Sequence, residues 1–322
     1  MRAGIAVAGS ILVDHIYDIA AYPAAGELTQ IRACRQAAGG CVPNVAIDLA
    51  RLAPDLPVFA MGLVGEDEDG AFLRDVLREN GVDAAGIRSG NDRTSFTDVM
   101  SVVGGQRTFF TYAGACAEFG ADSIDLEKTS AAMLHLGYFL LLDRVDAGEG
   151  EKILKRACEL GISTSIDLVS ENSDRYTCVL PALPYVDNLI INELEAGKLC
   201  GMEPTPQNLR VICEKLMALG VRKRVILHMP ECGVCLSENG FTVSPSFEPP
   251  AGYIKGKTGA GDAFCAGALL GVERALSDAE ILDLGGAAAI ASLSAADATS
   301  GMCEVEKALA FCKSLARANI CF

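Results

Sequence analysis

The sequence has no long apolar run and no excess of positive charge. None of its 322 residues falls in a stretch that approaches the roughly 18 consecutive apolar residues of a membrane-spanning helix. Aspartate and glutamate number 42 against 27 lysines and arginines, which gives a formal net charge of −15. Such a charge repels nucleic acid and anionic lipid surfaces, so we expect neither as a partner.

Signals for separate domains or export are also missing. No internal repeat, low-complexity segment or Pro/Gly/Ser-rich linker divides the chain, so a single domain over residues 1–322 is expected. The opening sequence MRAGIAVAGSILVD reaches Asp14 too early for the apolar region of a signal peptide, which favours a cytoplasmic protein. Hydrophobic residues make up 50% of the chain and charged residues 21%, a balance typical of a globular core.

The cysteines lack the spacing of a disulfide framework. There are 13 of them, and several fall within predicted helices, such as Cys158, Cys213 and Cys312. This distribution favours reduced thiols in the core. Cys232-Gly233-Val234-Cys235 has the spacing of zinc and redox pairs, but no second pair and no His-x-x-His accompanies it, so chance explains it better.

The chain does show a regular alternation of apolar strands and amphipathic helices. Strands are predicted at 5–8, 58–62, 133–136, 163–166, 188–191 and 224–228. Helices are predicted at 42–52, 70–80, 148–160, 194–200 and 207–219, and three more follow from Ala263 onward. This βαβ order predicts an α/β fold with a mostly parallel central sheet flanked by helices on both faces.

Two stretches, 15–36 and 93–112, depart from this alternation. Short β-like runs flank Tyr22-Pro23 and Gly26 in the first stretch and Gly104-Gly105 in the second, a pattern typical of hairpins. A parallel sheet has no position for such hairpins. We therefore expect them to project from the main sheet as a small β lid.

The segment Gly256-Lys257-Thr258-Gly259-Ala260-Gly261-Asp262-Ala263-Phe264 is the most informative in the chain. Its glycines allow a tight turn in which several backbone N–H groups point at one place, and the helix that follows adds the positive end of its dipole there. This predicts an anion site with Asp262 at its rim, where a carboxylate can accept a proton from a hydroxyl. The alternative is that Asp262 only caps the helix and the glycines only form a turn.

Polar groups follow other predicted strands at the same end of the sheet, where open α/β sheets bind ligands. Asp14 follows the first strand, Gly39-Gly40 and Asn44 surround the start of the helix at 42, and Asn192 and Glu195 follow the strand at 188–191. Taken singly, these residues are explained as a loop charge, a turn and a helix capping pair. Taken together with Asp262, they predict hydroxyl binding by Asp14 and Asn44, and phosphate and metal binding near Asn192 and Glu195.

A dinucleotide-binding oxidoreductase is excluded by the first strand and its turn. That class needs G-x-G-x-x-G directly after the strand, with an acidic residue about twenty positions on. This chain offers only Gly4 and Gly9 there.

The motifs together resemble those of the ribokinase-like (PfkB) family of sugar and nucleoside kinases over nearly the whole chain. The resemblance rests on GGCVPNVAIDLARL (39–52) and KTGAGDAFCAGAL (257–269), supported by VGEDEDG (64–70) and NELE (192–195). It implies ATP-dependent phosphorylation of a sugar hydroxyl on a ribokinase-like fold, with Mg²⁺ as cofactor and a homodimer formed through the lid.

The resemblance also implies roles for individual residues. Asp262 matches the general base, and Gly259, Ala260 and Gly261 match the backbone that holds the transferring phosphoryl group. Matching positions for the other roles are Asp14, Gly39, Gly40 and Asn44 for sugar hydroxyls; Asn192, Lys257, Thr258 and Gly233 for the nucleotide; and Glu195 for the metal. Arg107 on the second hairpin is a candidate for the substrate or γ-phosphate, with a solvated lid charge as the equal alternative.

Several residues depart from the family pattern. Gly256-Lys257 stands where many members carry Asp-Thr, which leaves activation by K⁺ in doubt. Cys41 replaces a lysine of ribokinase, and residues 136–139 lack the glutamate of ribose-specific members, so both positions argue against ribose. A nucleoside kinase and a non-catalytic sugar or nucleotide sensor remain alternatives. His228 is interpreted as a packed strand residue.

Overall fold

The computed structural model describes residues 2–102 and 107–320. Over these ranges no helix has the length and apolar character required to cross a membrane. The strands of these residues are β1 (Ile5–Gly9), β2 (Leu12–Ile19), β3 (Ile31–Gly39), β4 (Val58–Val64), β5 (Asp83–Ser89), β6 (Ser95–Val102), β7 (Arg107–Tyr112), β8 (Met133–Phe139), β9 (Ser163–Leu168), β10 (Asn188–Asn192), β11 (Arg224–His228), β12 (Cys232–Ser237) and β13 (Gly240–Pro245).

The helices confirm the predicted alternation, with ends that shift by a few residues. The α-helices of the described residues are α1 (Cys41–Leu52), α2 (Glu68–Glu79), α3 (Gly150–Glu159), α4 (Glu193–Cys200), α5 (Leu209–Ala218), α6 (Ala260–Glu273), α7 (Asp278–Ser292) and α8 (Val305–Cys312).

The large sheet has the order β13-β12-β11-β10-β9-β8-β1-β4-β5. From β11 to β5 all neighbouring strands are parallel, as the βαβ order predicts. The expectation that hairpins stay outside this sheet was wrong at one edge, because β12 and β13 form an antiparallel hairpin on β11. An antiparallel pair can extend a parallel sheet at its edge, where it needs no crossover helix.

The small sheet is formed by the two predicted hairpins, in the order β3-β2-β6-β7. Strand β2 pairs with β3 and β6 with β7 antiparallel, and β2 pairs with β6 in parallel. The first hairpin is longer than the predicted 15–36, since β2 starts at Leu12 and β3 ends at Gly39. The predicted turn at Gly104-Gly105 lies outside the described residues.

Apolar side chains fill both faces of the large sheet. Along β1, Ile5 and Val7 face one core cluster, which includes residues of α1, α6 and α7, while Ala6 and Ala8 face the other, which includes residues of α3, α4 and α5. This alternation is the two-residue period of a strand that is covered on both sides.

The order in which the strands are added to the large sheet reverses at β1. Beyond β1 the sheet continues through β4 to β5 on one side and through β8 to β11 on the other. In an open α/β sheet, such a switch point leaves a crevice beyond the carboxyl ends of the strands. The predicted site residues therefore have a common place to meet at the ends of β1, β8, β9 and β10.

Candidate active site

The first turn of α6 contains the residues that the sequence predicts as a backbone anion site. Gly259 caps the helix with φ of +78°, a left-handed conformation that suits glycine. The helix starts at Ala260, three residues before the predicted Ala263, so Asp262 lies within its first turn. The Ala260 N–H bonds back to the Lys257 carbonyl at 3.4 Å, whereas the N–H groups of Gly261 and Asp262 have no backbone partner within the described residues. These two groups are available to an anion.

Asp262 is enclosed and does not lie at the rim of the turn, where the sequence placed it. Its side chain is 7% exposed. Its Oδ2 accepts a hydrogen bond from Asn44 Nδ2 at 2.9 Å, and the Tyr138 hydroxyl donates to the same carboxylate, 2.9 Å from Oδ1 and 3.0 Å from Oδ2. Burial, with the nearby Asp167 carboxylate, raises the pKa of Asp262 to about 7, against the lowering effect of the two donors.

Two adjoining cavities meet at this turn. Asp262 lines a cavity of about 210 Å³ together with Tyr138, Asp167 and Glu195. A second cavity of about 420 Å³ extends over Phe264 and Ile254. The residues that line both cavities are Asn192, His228, Lys257, Ala260 and Gly261. The anion site therefore lies where the small polar cavity joins the larger one.

The glycine pair before α1 makes room for polar neighbours. A Cβ atom at Gly39 would lie 2.7 Å from Asp14 Oδ2, and one at Gly40 would lie 2.7 Å from the Ser10 carbonyl oxygen. Gly40 also has φ of +87°. Burial raises the pKa of Asp14 to about 6. Asp14 and Asn44 thus flank the start of α1, and the Asn44 Oδ1 atom is buried with no hydrogen-bond partner among the described residues.

Asn192 and Glu195 form the capping pair that the sequence offered as the alternative to a ligand role. Asn192 Oδ1 accepts from the Glu195 N–H at 2.9 Å, and Glu195 Oε2 accepts from the Asn192 N–H at 3.0 Å. Ser170 Oγ donates to Glu195 Oε1 at 2.8 Å. Both residues also line the 210 Å³ cavity, so capping and ligand binding are not exclusive.

Glu195 is the residue of this cavity that the sequence analysis named as a candidate metal ligand. Burial, with the Asp167 carboxylate adding to it, raises the pKa of Glu195 to about 8. A dication in the cavity would favour the charged form of the Glu195 and Asp167 carboxylates. Mg²⁺ in phosphoryl-transfer sites is held by one or two carboxylates, water and phosphate oxygens, a donor set that this cavity can supply.

The remaining candidates for the nucleotide lie around the larger cavity. Lys257 is exposed and lines both cavities, and Gly233 on β12 lines the larger one. Thr258 is exposed in the turn and lines neither. His228 ends β11 with its ring 5.0 Å from that of Phe264, and burial lowers its pKa to about 4, so it is a neutral wall at physiological pH.

Two other predictions concern residues at the margins of the site. Arg107 is exposed at the start of β7, opposite Ser101, and is not among the residues that line the two cavities. At Gly256, where many family members carry aspartate, a Cβ atom would lie 2.9 Å from the carbonyl oxygens of Ala295 and Ala296. The backbone here leaves no room for that aspartate without a shift.

Tyr138 and Asp167 are the residues that the sequence prediction missed. Tyr138 lies near the end of β8 with φ of +62°, rare for a bulky residue and typical of functional sites. Its N–H donates to Asp167 Oδ1 at 2.6 Å. Each residue follows a predicted strand (133–136 and 163–166), so the same strand-end rule that selected Asp14 and Asn192 could have selected them.

The cysteines are reduced, as predicted, wherever the structure describes them. All twelve cysteines of the described residues are free, and Cys321 lies outside these residues. Cys232 and Cys235 are buried in β12, on the strand itself rather than on the predicted strand and turn. They form no metal-like cluster with other described residues.

The fold and the chain's relatives can now be compared. A ribokinase from Arabidopsis thaliana, solved with ribose and ATP, superposes with a TM-score of 0.82 over 97% of this chain and 99% of that one, at 24% identity. At this identity the likeness establishes the ribokinase-like fold. Together with the relatives below, it defines the class as a phosphotransferase with an alcohol group as acceptor.

The sequence profile of the pfkB family of carbohydrate kinases matches residues 2–304, and the chain belongs to this family. A probable fructokinase from Arabidopsis thaliana is 28% identical over 277 residues, which cover 81% of this chain and 76% of that protein. The adenosine kinase of Saccharomyces cerevisiae is 27% identical over 293 residues, 86% of this chain and 83% of that protein. The chain is thus a sugar or nucleoside kinase.

Proposed function

We propose that this protein transfers the γ-phosphoryl group of ATP to a hydroxyl of a free sugar, with Asp262 as the general base. The observation that carries the proposal is the position of Asp262 beside the unpartnered N–H groups of α6, where the two cavities meet. Phosphoryl transfer requires positioning and charge stabilisation above all, and this arrangement offers both.

In this mechanism the sugar binds beside the start of α1, on the side of Asp262 where Asn44 lies. Asp14, the Gly39-Gly40 turn and Asn44, none of which lines the 210 Å³ cavity, bind its hydroxyls, and the reacting hydroxyl takes the place of Tyr138 at the Asp262 carboxylate. Asp262 accepts the hydroxyl proton as the oxygen attacks phosphorus. With a pKa of about 7, this carboxylate is basic enough to accept a proton and is still substantially ionised at neutral pH.

The larger cavity holds the nucleotide. Its lining of Phe264, Ile254 and Gly233 suits a base and ribose, and the Lys257 ammonium lies where the cavities join, at the phosphates. The N–H groups of Gly261 and Asp262, within the Gly259–Asp262 turn, stabilise negative charge on the transferring group. Mg²⁺, held near Glu195 and Asn192, would neutralise charge on the phosphates when bound. Thr258 and Arg107 keep their proposed ligand roles, the latter requiring the small sheet to approach the substrate.

The small sheet serves as the lid of this site and as a dimer contact in the same proposal. Its edge strands are β3 and β7. On and beside them Leu28, Phe109 and Phe110 are 89%, 62% and 58% exposed. Exposed apolar side chains on edge strands favour association with a second copy of the chain.

A nucleoside is the second candidate substrate, favoured by the yeast adenosine kinase, which matches a longer part of this chain than the fructokinase does. Release of ADP in the presence of hexoses, pentoses, nucleosides and sugar phosphates, each tested with ATP and Mg²⁺, separates the two candidates. If none of the acceptors on this panel supports ADP release, the non-catalytic sensor is favoured.

The role of Asp262 is tested with the acceptor that gives the fastest ADP release. We expect Asp262→Asn to lower kcat by about 10²–10⁴-fold, with smaller changes in sugar binding, because it removes the base and leaves the cavity. Asp187→Asn is the matched control. Asp187 is also buried, but it precedes β10 and so lies at the amino-terminal end of the parallel strands, away from the cavities. Turnover by Asp262→Asn close to that of the control would remove Asp262 from this role.

A further inference from the structure

Three buried side chains converge beneath the cavity that holds Asp262. Cys41 starts α1, His135 lies in β8 and Asp167 lies in β9. One potential ligand atom from each lies within 4.8 Å of the other two, and residues 2–102 and 107–320 contain no other such group of histidine, cysteine, aspartate and glutamate. The proposed kinase reaction gives Cys41 and His135 no role.

The separations in this cluster leave room for a shared ion: the His135–Asp167 separation matches that of two ligands around zinc, and the Cys41–Asp167 separation is slightly longer. His135 Nε2 lies 3.4 Å from Asp167 Oδ2, and Cys41 Sγ lies 3.9 Å from the same oxygen. A charge-assisted N–H···O bond is shorter, at about 2.7–2.9 Å. Around a tetrahedral Zn²⁺ with bonds of about 2.0–2.3 Å, ligand atoms lie about 3.3–3.8 Å apart.

Each ligand is oriented by a further hydrogen bond. His135 Nδ1 lies 3.2 Å from Ser165 Oγ, which turns Nε2 toward Asp167. Asp167 uses Oδ1 for the Tyr138 N–H, so Oδ2 faces the cluster. A partner on the second ring nitrogen is a regular feature of histidines that bind metals.

The charges of the cluster also favour a dication. Within the described part of the chain, His135 is the only basic side chain within 4.0 Å of the Asp167 carboxylate. A dication bound by one thiolate, one carboxylate and one neutral imidazole forms a site of zero net charge, and the Cys41 proton is released to solvent.

The site can be reached from the cavity. Asp167 and Cys265 both line the 210 Å³ cavity, and Cys265 Sγ lies 3.6 Å from His135 Nε2. A water molecule from the cavity can therefore fill the fourth coordination position.

We propose that Cys41, His135 and Asp167 bind one Zn²⁺ ion per chain, at a site separate from that of the Mg²⁺ that accompanies the nucleotide. Sulfur and imidazole ligands suit zinc, whereas Mg²⁺ prefers oxygen ligands only. The proposal does not depend on the kinase reaction, because it concerns binding of the ion in the absence of nucleotide.

The test uses the full-length chain, stripped with a chelator and titrated with Co²⁺ and then Zn²⁺ without nucleotide. We expect one equivalent of Co²⁺ to give a thiolate-to-metal charge-transfer band with release of the thiol proton, and one equivalent of Zn²⁺ to displace the Co²⁺ and abolish the band. Cys41→Ala should lose the band. Cys235→Ala, the matched control, also removes a buried thiol but leaves the three ligands in place, and it should keep the band.

Ser165→Ala provides a second test that leaves all three ligands intact. Loss of the hydrogen bond to His135 Nδ1 should weaken Zn²⁺ binding by roughly 10–100-fold. Circular dichroism checks that each variant is folded. A wild-type chain without the band, a band that persists in Cys41→Ala or disappears in Cys235→Ala, or an unchanged affinity in Ser165→Ala would each overturn the site.

Discussion

At the scale of single residues, the properties of Asp262 follow from its neighbours. Its carboxylate lies between a donor from α1, Asn44, and a donor from β8, Tyr138. The two donors stabilise the charged form, while burial and Asp167 oppose it, and the balance leaves a pKa of about 7. A base of this kind responds to pH within the physiological range.

The first prediction concerns this pH dependence. Because Asp262 must be unprotonated to act, kcat/KM should rise with pH up to about 7 and then level off. The Tyr138 hydroxyl lowers the pKa of Asp262, so Tyr138→Phe should move the rising limb to higher pH. Initial rates from about pH 5 to 9 measure both profiles.

Tyr176→Phe is the control for this shift, since its hydroxyl bonds to the backbone of Glu171 and does not line the two cavities. Its profile should coincide with that of the wild type. Coincident profiles for Tyr138→Phe and the wild type would mean that the hydroxyl does not influence the pKa of Asp262 in the free enzyme.

At the scale of secondary-structure elements, the proposed reaction requires the first turn of α6 to direct the N–H groups of Gly261 and Asp262 and the Asp262 carboxylate at the same place. These N–H groups have no backbone partner within the described residues. Gly259 makes this arrangement possible through its left-handed conformation. A Cβ atom there would lie 2.5 Å from Ala298 Cβ, so the loop before α8 fits closely against the turn.

We therefore expect Gly259→Ala to lower both stability and turnover. The left-handed conformation costs a non-glycine residue about 1–2 kcal/mol, and the overlap with Ala298 adds to this or displaces the turn. Displacement of the turn moves the N–H groups, so kcat should fall more than sugar affinity. Denaturant unfolding and steady-state kinetics measure the two effects.

Gly81→Ala separates backbone strain from the shape of the site. Gly81 has the same φ of +78° just beyond α2, and a Cβ atom there would meet nothing within 4 Å. This variant should lose about 1–2 kcal/mol of unfolding free energy and keep its kcat. An equal loss of kcat in both variants would show that backbone strain alone lowers kcat, and that displacement of the Gly259 turn by Ala298 does not.

At the scale of the whole molecule, the large and the small sheet contribute different parts of the candidate site. The large sheet positions the proposed catalytic groups at its switch point, and the small sheet holds Asp14 and leaves apolar side chains exposed. Strand β2 belongs to the small sheet and follows β1 of the large sheet after two residues. A movement of the small sheet is therefore coupled to Asp14, close to the proposed sugar site.

We expect the protein to form a dimer through the small sheet. Light scattering coupled to gel filtration should give twice the mass of one chain, and Phe109→Lys should shift the protein toward the monomer, because a buried unpaired charge at an interface is unfavourable. Val211→Lys is the control, an exposed apolar residue on α5, away from the small sheet. A wild-type monomer would contradict the dimer, and a dimer unaffected by Phe109→Lys would place the interface elsewhere.

The sequence was sufficient for the elements with strong periodicity. The strands of the parallel sheet other than β5, the helices between them and the two hairpins were predicted because burial on both faces and turn chemistry leave local patterns. Strand β5 was not predicted, because it lies at the edge of the sheet and most of its residues are not buried. The edge hairpin of β12 and β13 was not predicted, because its position in the sheet depends on the free edge of β11 and not on its own residues. Among the site residues, Asp262 and Asn44 came from motifs, whereas Tyr138 and Asp167 belong to no motif.

The sequence by itself determined the fold class, the family and the identity of the turn that we propose binds the anion, since each is encoded in contiguous residues. Only the tertiary structure decided what surrounds Asp262, and with it the pKa of about 7. The same holds for Cys41, His135 and Asp167, which come together from three distant segments. The physical reason is that burial and through-space charge depend on neighbours that the folded chain brings together, and no local pattern of residues records them.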